Sequence, residues 1–369
     1  MTAGIINHFF RYEFVYIFIF LTISFIIVAA VIKNYSYKKI FLLIFSLFLF
    51  LAVLETVLCF QNKTDNIESI SLKSVNNVIF RNEFDVSKFD KIRYIRYKIG
   101  KQAYNVWDKN YVYKSNESVD FDVTETVYKN RFRYTKSDIE NGADYIFLGC
   151  SFMYGLSLPD NETLAYVFSG KLKYKYGVLN CGIPARGSNS ALNVLNSGVL
   201  DNFTRSNKKI KRFIYLAMSD HIKRNFRNES SSEPSDKYIF LNNQFVKTEQ
   251  PFDFFNDIFF NSYIYKKLFL DLIENKNKEF YKRYFLKSVE NMNKIIKEKY
   301  NSEFTVILWN DFRYKFDKDV AQLLKKANID VIELEEFGKE YVISDDGHPN
   351  YAANKKIADI LIRHLKYGN

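Results

Sequence analysis

"GADYIFLGCSFMYGLSLPDNETLAYVF", residues 142–168, decides how the C-terminal two thirds of this chain are read. An apolar run from Tyr145 to Leu148 stops at Gly149, and Ser151, Phe152 and Gly155 follow immediately. From Glu162 to Tyr174 the apolar spacing becomes helical. A short apolar run ended by glycine and followed by a helical period marks a buried strand passing into a helix. The serine at that junction has two readings. It is a turn residue, or it is a nucleophile at a strand end, and a nucleophile needs a base.

The same alternation recurs downstream. DYIFL (144–148), YGVLN (176–180), RFIYLAM (212–218), FTVILWN (304–310) and DVIEL (330–334) read as buried strands, and residues 162–174, 279–299, 317–327 and 350–365 show helical spacing. Strands separated by helices predict an α/β domain over 142–369, with a central parallel sheet and helices on both faces. Residues 222–275 break the pattern and read as an insertion or lid. Residues 63–141 are rich in Tyr, Asn, Lys and Phe. Stretches such as KIRYIRYKI (91–99) make this segment an extended connector or a small β-rich layer.

The first 62 residues differ in kind. Residues 14–32 are 19 consecutive residues without a charge, and residues 40–60 are interrupted only by Glu55. About 20 apolar residues cross a hydrocarbon core. Two such runs this close together predict a transmembrane hairpin rather than a cleaved signal peptide. Glu55 lies near the end of its run, where its carboxylate reaches the headgroups. The connecting loop carries Lys33, Lys38 and Lys39. Positive loops stay cytoplasmic, so the residues after about 62 are expected outside the cytoplasm.

Composition excludes some classes. The net charge is +11, but the lysines are dispersed and no compact basic element marks a nucleic-acid partner. Three cysteines are too few for a disulfide framework; Cys59 ends the second apolar run, and a bond between Cys150 and Cys181 stays open. Nothing has the paired-ligand spacing of a zinc site, so neither metal nor cofactor is expected.

In open α/β sheets, chemistry collects at the carboxyl ends of the strands. Four such ends carry suggestive residues: Gly149-Cys150-Ser151; "LNCGIPARGSNS" with Asn180, Gly182 and Gly187; "LAMSDHIKRN" with Ser219, Asp220 and His221; and "ISDDGHPNYAANKKIADIL" with Asp345, Asp346 and His348. The first is not the G-x-S-x-G elbow, because Met153 stands at the second glycine position. The fourth also suits a turn with a helix start. Only four histidines exist, and with His8 before the membrane runs and His364 on the last helix, His221 and His348 are the candidate bases.

These motifs resemble the SGNH (GDSL-type) hydrolases, specifically members tethered to or secreted across bacterial membranes for envelope-glycan modification. The resemblance runs from "VYKNRFRY" (127–134) to the C-terminus. It implies a flavodoxin-like three-layer α/β/α fold, with Ser151 as nucleophile, His348 as base, and Asp345 or Asp346 orienting the ring. Asp345 fits the family's Asp-x-x-His spacing, and Asp346 fits the Asp-x-His of related glycan acetyltransferases. Gly182, with Asn180 before it, matches the family's second block, whose glycine N–H helps hold an oxyanion. The third block departs from the pattern. Ala217-Met218-Ser219-Asp220 stands where the family has Gly-x-Asn-Asp, so either Ser219 is a weaker donor in the asparagine's place, or His221 supplies the contact, or the site has lost a component. Losing one such donor costs on the order of 10²–10³ in rate.

The expectation that follows is a two-pass membrane-anchored serine esterase or O-acyl (acetyl) transferase, facing out of the cytoplasm. It would act on an acylated envelope polysaccharide, beside other envelope-glycan biosynthesis proteins. A lipase- or thioesterase-like hydrolase and an inactive glycan-binding scaffold are the alternatives.

Overall fold

A computed structural model of the chain describes residues 89–99, 102–107, 117–128, 132–204, 209–224, 237–241, 244–248, 270–344 and 347–367, with Lys39 and Ser46. The chain divides into two compact units, Met1–Ile67 with Asp253–Asn275, and Glu68–Phe252 with Lys276–Asn369. The sheets and the site described below belong to the second. Both runs of the expected hairpin lie outside the described residues, Lys39 and Ser46 apart. Among the described residues, no helix is long and apolar enough to cross a membrane.

The second unit starts with β1 (Phe89–Ile99), β2 (Gln102–Trp107) and β3 (Glu117–Tyr128). They form an antiparallel sheet in the order β2-β1-β3, with an irregularity in register between Arg96 and Tyr97. Strands and helices then alternate. β4 (Tyr145–Gly149) leads into α1 (Ser151–Tyr154) and α2 (Leu164–Lys171), and β5 (Val178–Gly182) into α3 (Ser188–Asn196). β6 (Arg212–Met218) is followed by α4 (His221–Arg224), and a hairpin of β7 (Lys237–Leu241) and β8 (Gln244–Thr248) falls within the expected insertion. α5 (Leu270–Tyr300), β9 (Glu303–Trp309), α6 (Lys318–Lys326), β10 (Asp330–Glu333) and α7 (Tyr351–Tyr367) follow, α5 belonging to this unit from Lys276 onward. α5 begins nine residues earlier than its apolar spacing indicated. α2 ends early because Lys173 and Tyr174 adopt left-handed φ of 56° and 59°.

The five strands β10-β9-β6-β4-β5 pair in parallel, in that order. Renumbered within the sheet this is 2-1-3-4-5, the flavodoxin-like doubly wound arrangement. The period-2 alternation of strand side chains divides the core into two layers. On β6, Phe213, Tyr215 and Ala217 pack with Leu192 and Leu195 of α3, Phe285 and Met292 of α5, and Leu324 of α6. Ile214, Leu216 and Met218 pack on the other face with Phe152, Phe168 and residues Ile357 and Leu361 of α7. The expected α/β/α layering is therefore present.

The open edge of β5 is covered. The backbone of Arg133, a buried residue, bridges Val127 of β3 on one side and Asn180 of β5 on the other, and so links the antiparallel layer to the parallel one. Covering a sheet edge removes a site of unwanted strand pairing. Here it also fixes the β1–β3 layer against the strand next to Ser151.

Candidate active site

Strand order reverses around β4, and in doubly wound sheets that switch point opens a crevice at the carboxyl ends of the strands. Ser151 is the first helical residue after β4, so it stands at that crevice. Gly149 is what lets the chain turn there. Its φ is +157°, and a Cβ on it would come within 2.7 Å of Met153 Cβ and 3.0 Å of the Leu216 carbonyl oxygen. Gly182, its partner in the β4–β5 register, has the same task on the neighbouring strand. A Cβ on Gly182 would run into the backbone nitrogen of Tyr154 and lie 2.8 Å from its Cα. The two glycines make a flat floor on which the single turn of α1 lies against the sheet.

α1 is braced from β5. Asn180 is fully buried, and its Nδ2 donates to the carbonyls of Met153 (3.0 Å) and Tyr154 (3.4 Å), two of the orphan acceptors at a helix end. Its Oδ1 accepts from the Gly182 N–H at 3.0 Å. This corrects two expectations. Asn180 faces α1 rather than a substrate, and the Gly182 N–H is already engaged instead of standing ready for an oxyanion. The Ser151 N–H, at the first position of the turn, has no acceptor among the described residues.

The imidazole beside Ser151 comes from the other end of the domain. His348 Nε2 lies 2.8 Å from Ser151 Oγ, inside the 2.6–3.2 Å reach of a nucleophile–base pair. The His348 ring meets the Phe152 ring edge-on at 5.3 Å, and Phe152 in turn packs edge-on against Trp309 (5.5 Å) and Tyr314 (6.1 Å). The loop carrying His348 is closed on itself. Ile343 N–H donates to the His348 carbonyl at 2.8 Å, and Gly347 N–H donates to the Ile343 carbonyl at 2.7 Å. Gly347 has φ +74°, a left-handed conformation that suits glycine. After it, Asn350 caps α7, its Oδ1 accepting from Ala353 N–H at 3.1 Å. The cap is thus Asn350 itself, one residue beyond the proline. Asp345 and Asp346 lie outside the described residues.

A second brace, not apparent from the sequence, holds this loop. Asp311 is fully buried after β9, and its two oxygens accept from four donors. These are the N–H groups of Arg313 and Tyr314 (2.7 Å each), Trp309 Nε1 (3.0 Å) and Arg313 Nη2 (2.9 Å). The same Arg313 guanidinium donates to the Gly347 carbonyl, the residue before His348. Asp311 therefore acts on the histidine loop through Arg313.

The remaining candidates fall elsewhere. Ser219 lies half-buried in the turn after β6, at the strand end next to Ser151, and its carbonyl accepts from Ile222 N–H. His221 is a correction. It is fully buried, stacked on Tyr215 with ring centroids 5.7 Å apart, and its Nδ1 is 2.7 Å from the Tyr215 hydroxyl. Tyr215 belongs to the core layer opposite Phe152. Burial, reinforced by the nearby Arg224 guanidinium, pushes the His221 pKa well below the usual histidine value, so the ring is neutral. Cys150 and Cys181 are both buried and free, in opposite core layers, and do not form a bond. Burial raises both thiols. Among the described residues, no group of three or more His, Cys, Asp or Glu side chains is placed to hold a metal.

No protein-family model matches the chain. No curated protein matches it either. Among solved structures, the chain is similar to a protein assigned to the lipolytic G-D-S-L family from Desulfitobacterium hafniense DCB-2, at 10% identity, with 60% of this chain and 98% of that chain covered and a TM-score of 0.33.

Proposed function

We propose that this chain is a serine esterase or O-acyl transferase, with Ser151 as nucleophile and His348 as general base. The observation that carries this reading is the 2.8 Å contact between Ser151 Oγ and His348 Nε2 at the carboxyl end of β4. With the proton on Nδ1, the serine hydroxyl donates to Nε2. As Oγ attacks an ester carbonyl carbon, the proton passes to His348 and then to the departing alkoxide. The acyl group, now on Oγ, leaves to water in an esterase or to a sugar hydroxyl in a transferase. The Ser151 N–H and the Ser219 hydroxyl are the donors assigned to the oxyanion, and Asp345 or Asp346 is the residue assigned to the ring.

The substrate class follows from the sequence. The resemblance to envelope-glycan esterases and acetyltransferases, with the two apolar runs before residue 62, supports an O-acylated polysaccharide met outside the cytoplasm by a membrane-anchored enzyme. The test uses full-length protein in detergent, with p-nitrophenyl acetate turnover and labelling by a fluorophosphonate, beside Ser151→Ala and His348→Ala. Both activities lost in both variants would support the pair. Equal rates in all three proteins would refute it.

A further inference from the structure

The residues that hold α1 in place do not all come from the α/β layers. Tyr154, three residues after Ser151 on the same turn, is buried, and its hydroxyl donates to Glu125 Oε2 of β3 at 3.0 Å. The Arg133 guanidinium sits 5.2 Å from the centre of the Tyr154 ring and forms an ion pair with Glu125 at 3.0 Å, both side chains being fully buried. Arg133 also reaches the loop that leaves α1. Its Nη2 donates to the Leu158 carbonyl at 2.7 Å, and its Nε bonds Asp160 Oδ1 at 3.1 Å. Thr126 N–H of β3 donates to the same Asp160 oxygen at 3.0 Å. Tyr94, Val127, Tyr154 and Leu156 close an apolar cluster around the network. Within the loop, Ser157 is held at φ +69°, a conformation that a non-glycine residue keeps only where its surroundings over-determine it.

We propose that Glu125 and Arg133 are positioning residues for Ser151: the β1–β3 layer completes the active site by clamping the turn that carries the nucleophile. Our assignment of Ser151 as nucleophile is the premise. A buried ion pair is a poor source of net stability, because desolvation offsets much of the attraction. Here Glu125 Oε1 and Arg133 Nη1 meet as charges without an aligned hydrogen bond, while Glu125 Oε2 and Arg133 Nε and Nη2 carry the bonds that fix the geometry. Arg133 suits the task because its planar fork serves Glu125, Leu158 and Asp160 together, which a lysine ammonium does not do. The contact is directional. Glu125 and Thr126 hold Tyr154 and Asp160 from β3, while Asn180 holds the carbonyls of Met153 and Tyr154 from β5. The turn is therefore gripped on two sides. Releasing one side lets Oγ drift from Nε2, and misplacement of about 1 Å costs on the order of 10²-fold in rate.

The experiment compares full-length wild type with Tyr154→Phe, Glu125→Gln and the double variant. It reads the fluorophosphonate labelling rate of the folded protein, kcat and KM for a p-nitrophenyl ester, and the unfolding midpoint. Tyr154→Phe removes one hydroxyl and keeps the ring, so it tests the clamp even where Glu125→Gln fails to fold. We expect each single variant to label about ten-fold or more slowly with KM within about two-fold of wild type. The double variant should be slower by less than the product of the two single effects, since Tyr154→Phe removes the hydrogen bond to Glu125 that Glu125→Gln weakens, and Glu125→Gln also removes the charge facing Arg133. A lowered unfolding midpoint with wild-type labelling and kcat would mean a purely structural network and overturn the inference. Wild type that neither labels nor turns over would overturn the assignment of Ser151, and the clamp with it.

Discussion

Replacing Asn180 by alanine isolates the brace between β5 and the turn of Ser151. The side chain makes three contacts in a fully buried position: Nδ2 to the Met153 carbonyl at 3.0 Å, Nδ2 to the Tyr154 carbonyl at 3.4 Å, and Oδ1 from the Gly182 N–H at 3.0 Å. The two shorter contacts count fully and the third counts least. Each net hydrogen bond is worth roughly 0.5–1.5 kcal/mol, and each buried group left unpaired costs about 1–3 kcal/mol. Alanine orphans the Gly182 N–H and the Met153 carbonyl, so the expected destabilisation is about 2–4 kcal/mol. A typical domain has about 5–15 kcal/mol, which leaves the variant folded at room temperature. Chemical unfolding gives the stability, and fluorophosphonate labelling gives the reactivity of Ser151. We expect the labelling rate to fall about ten-fold or more, since the turn loses its hold on one side. If Asn180 merely competed with an oxyanion for the Gly182 N–H, its removal would free that donor and the rate would rise. A stability change below about 0.5 kcal/mol, or a faster rate, would refute the brace.

Three further outcomes follow from buried groups. Asp311→Asn places an amide N–H₂ against groups that all donate to Asp311. It should cost about 2–4 kcal/mol and slow labelling at least several-fold, because Arg313 loses its anchor to the Gly347 carbonyl; unchanged labelling in the folded variant would disconnect Asp311 from the histidine loop. His221 is neutral in the fold, while in the unfolded chain it titrates near pH 6.5, so below that pH the unfolded state binds the extra proton. Stability should fall as pH drops from about 6.5 towards the lowered folded value, with a slope approaching about 1.4 kcal/mol per pH unit. His221→Asn removes that slope, and parallel pH–stability curves for the two proteins would rule it out. In a Cys59→Ser background, Cys150 and Cys181 should resist a thiol reagent at neutral pH until denaturant is added, because both are buried with raised pKa; prompt native reaction of either would contradict their burial.

The layering and the two turns that bring Ser151 and His348 together were legible because each rests on local signals. Apolar runs and helical periods located the strands within a few residues, and glycine, proline and asparagine marked the turns that present Ser151 and His348. The misread residues share a different property, since their roles depend on which face of a strand they occupy. Asn180 and Gly182 lie two apart on β5, so they face the same side, and that side is covered by α1. A motif match supplies the spacing of such a pair but not what packs upon it. His221 went astray for a related reason. A histidine at a strand end looks available, yet Tyr215, six residues earlier, takes its Nδ1 inside the core. Glu125, Arg133 and Asp311 were missed altogether, because a buried charge is indistinguishable in sequence from a solvated one until its partner is known. Glu125 and Arg133 lie eight residues apart in a segment that otherwise reads as polar and aromatic filler.

The choice posed by Ser151, turn residue or nucleophile, comes down to what its hydroxyl does. Serine is common at helix starts because Oγ at the capping position accepts from an N–H one turn ahead. Ser151 does not hold that position. Cys150 is the capping residue of α1, and no side-chain cap bond is made there. A hydroxyl at the first helical position is freed from that local task, and the turn itself is secured by Gly149, Gly182 and Asn180, none of which needs a serine between them. Oγ instead meets an imidazole 197 residues further along the chain. That imidazole is held by a self-closed loop, by the edge of Phe152 and, through Gly347, by Arg313 on Asp311. Local turn chemistry accounts for none of this long-range support. It is the support that the proposed pairing of Ser151 with His348 requires, since a nucleophile and its base must keep their geometry.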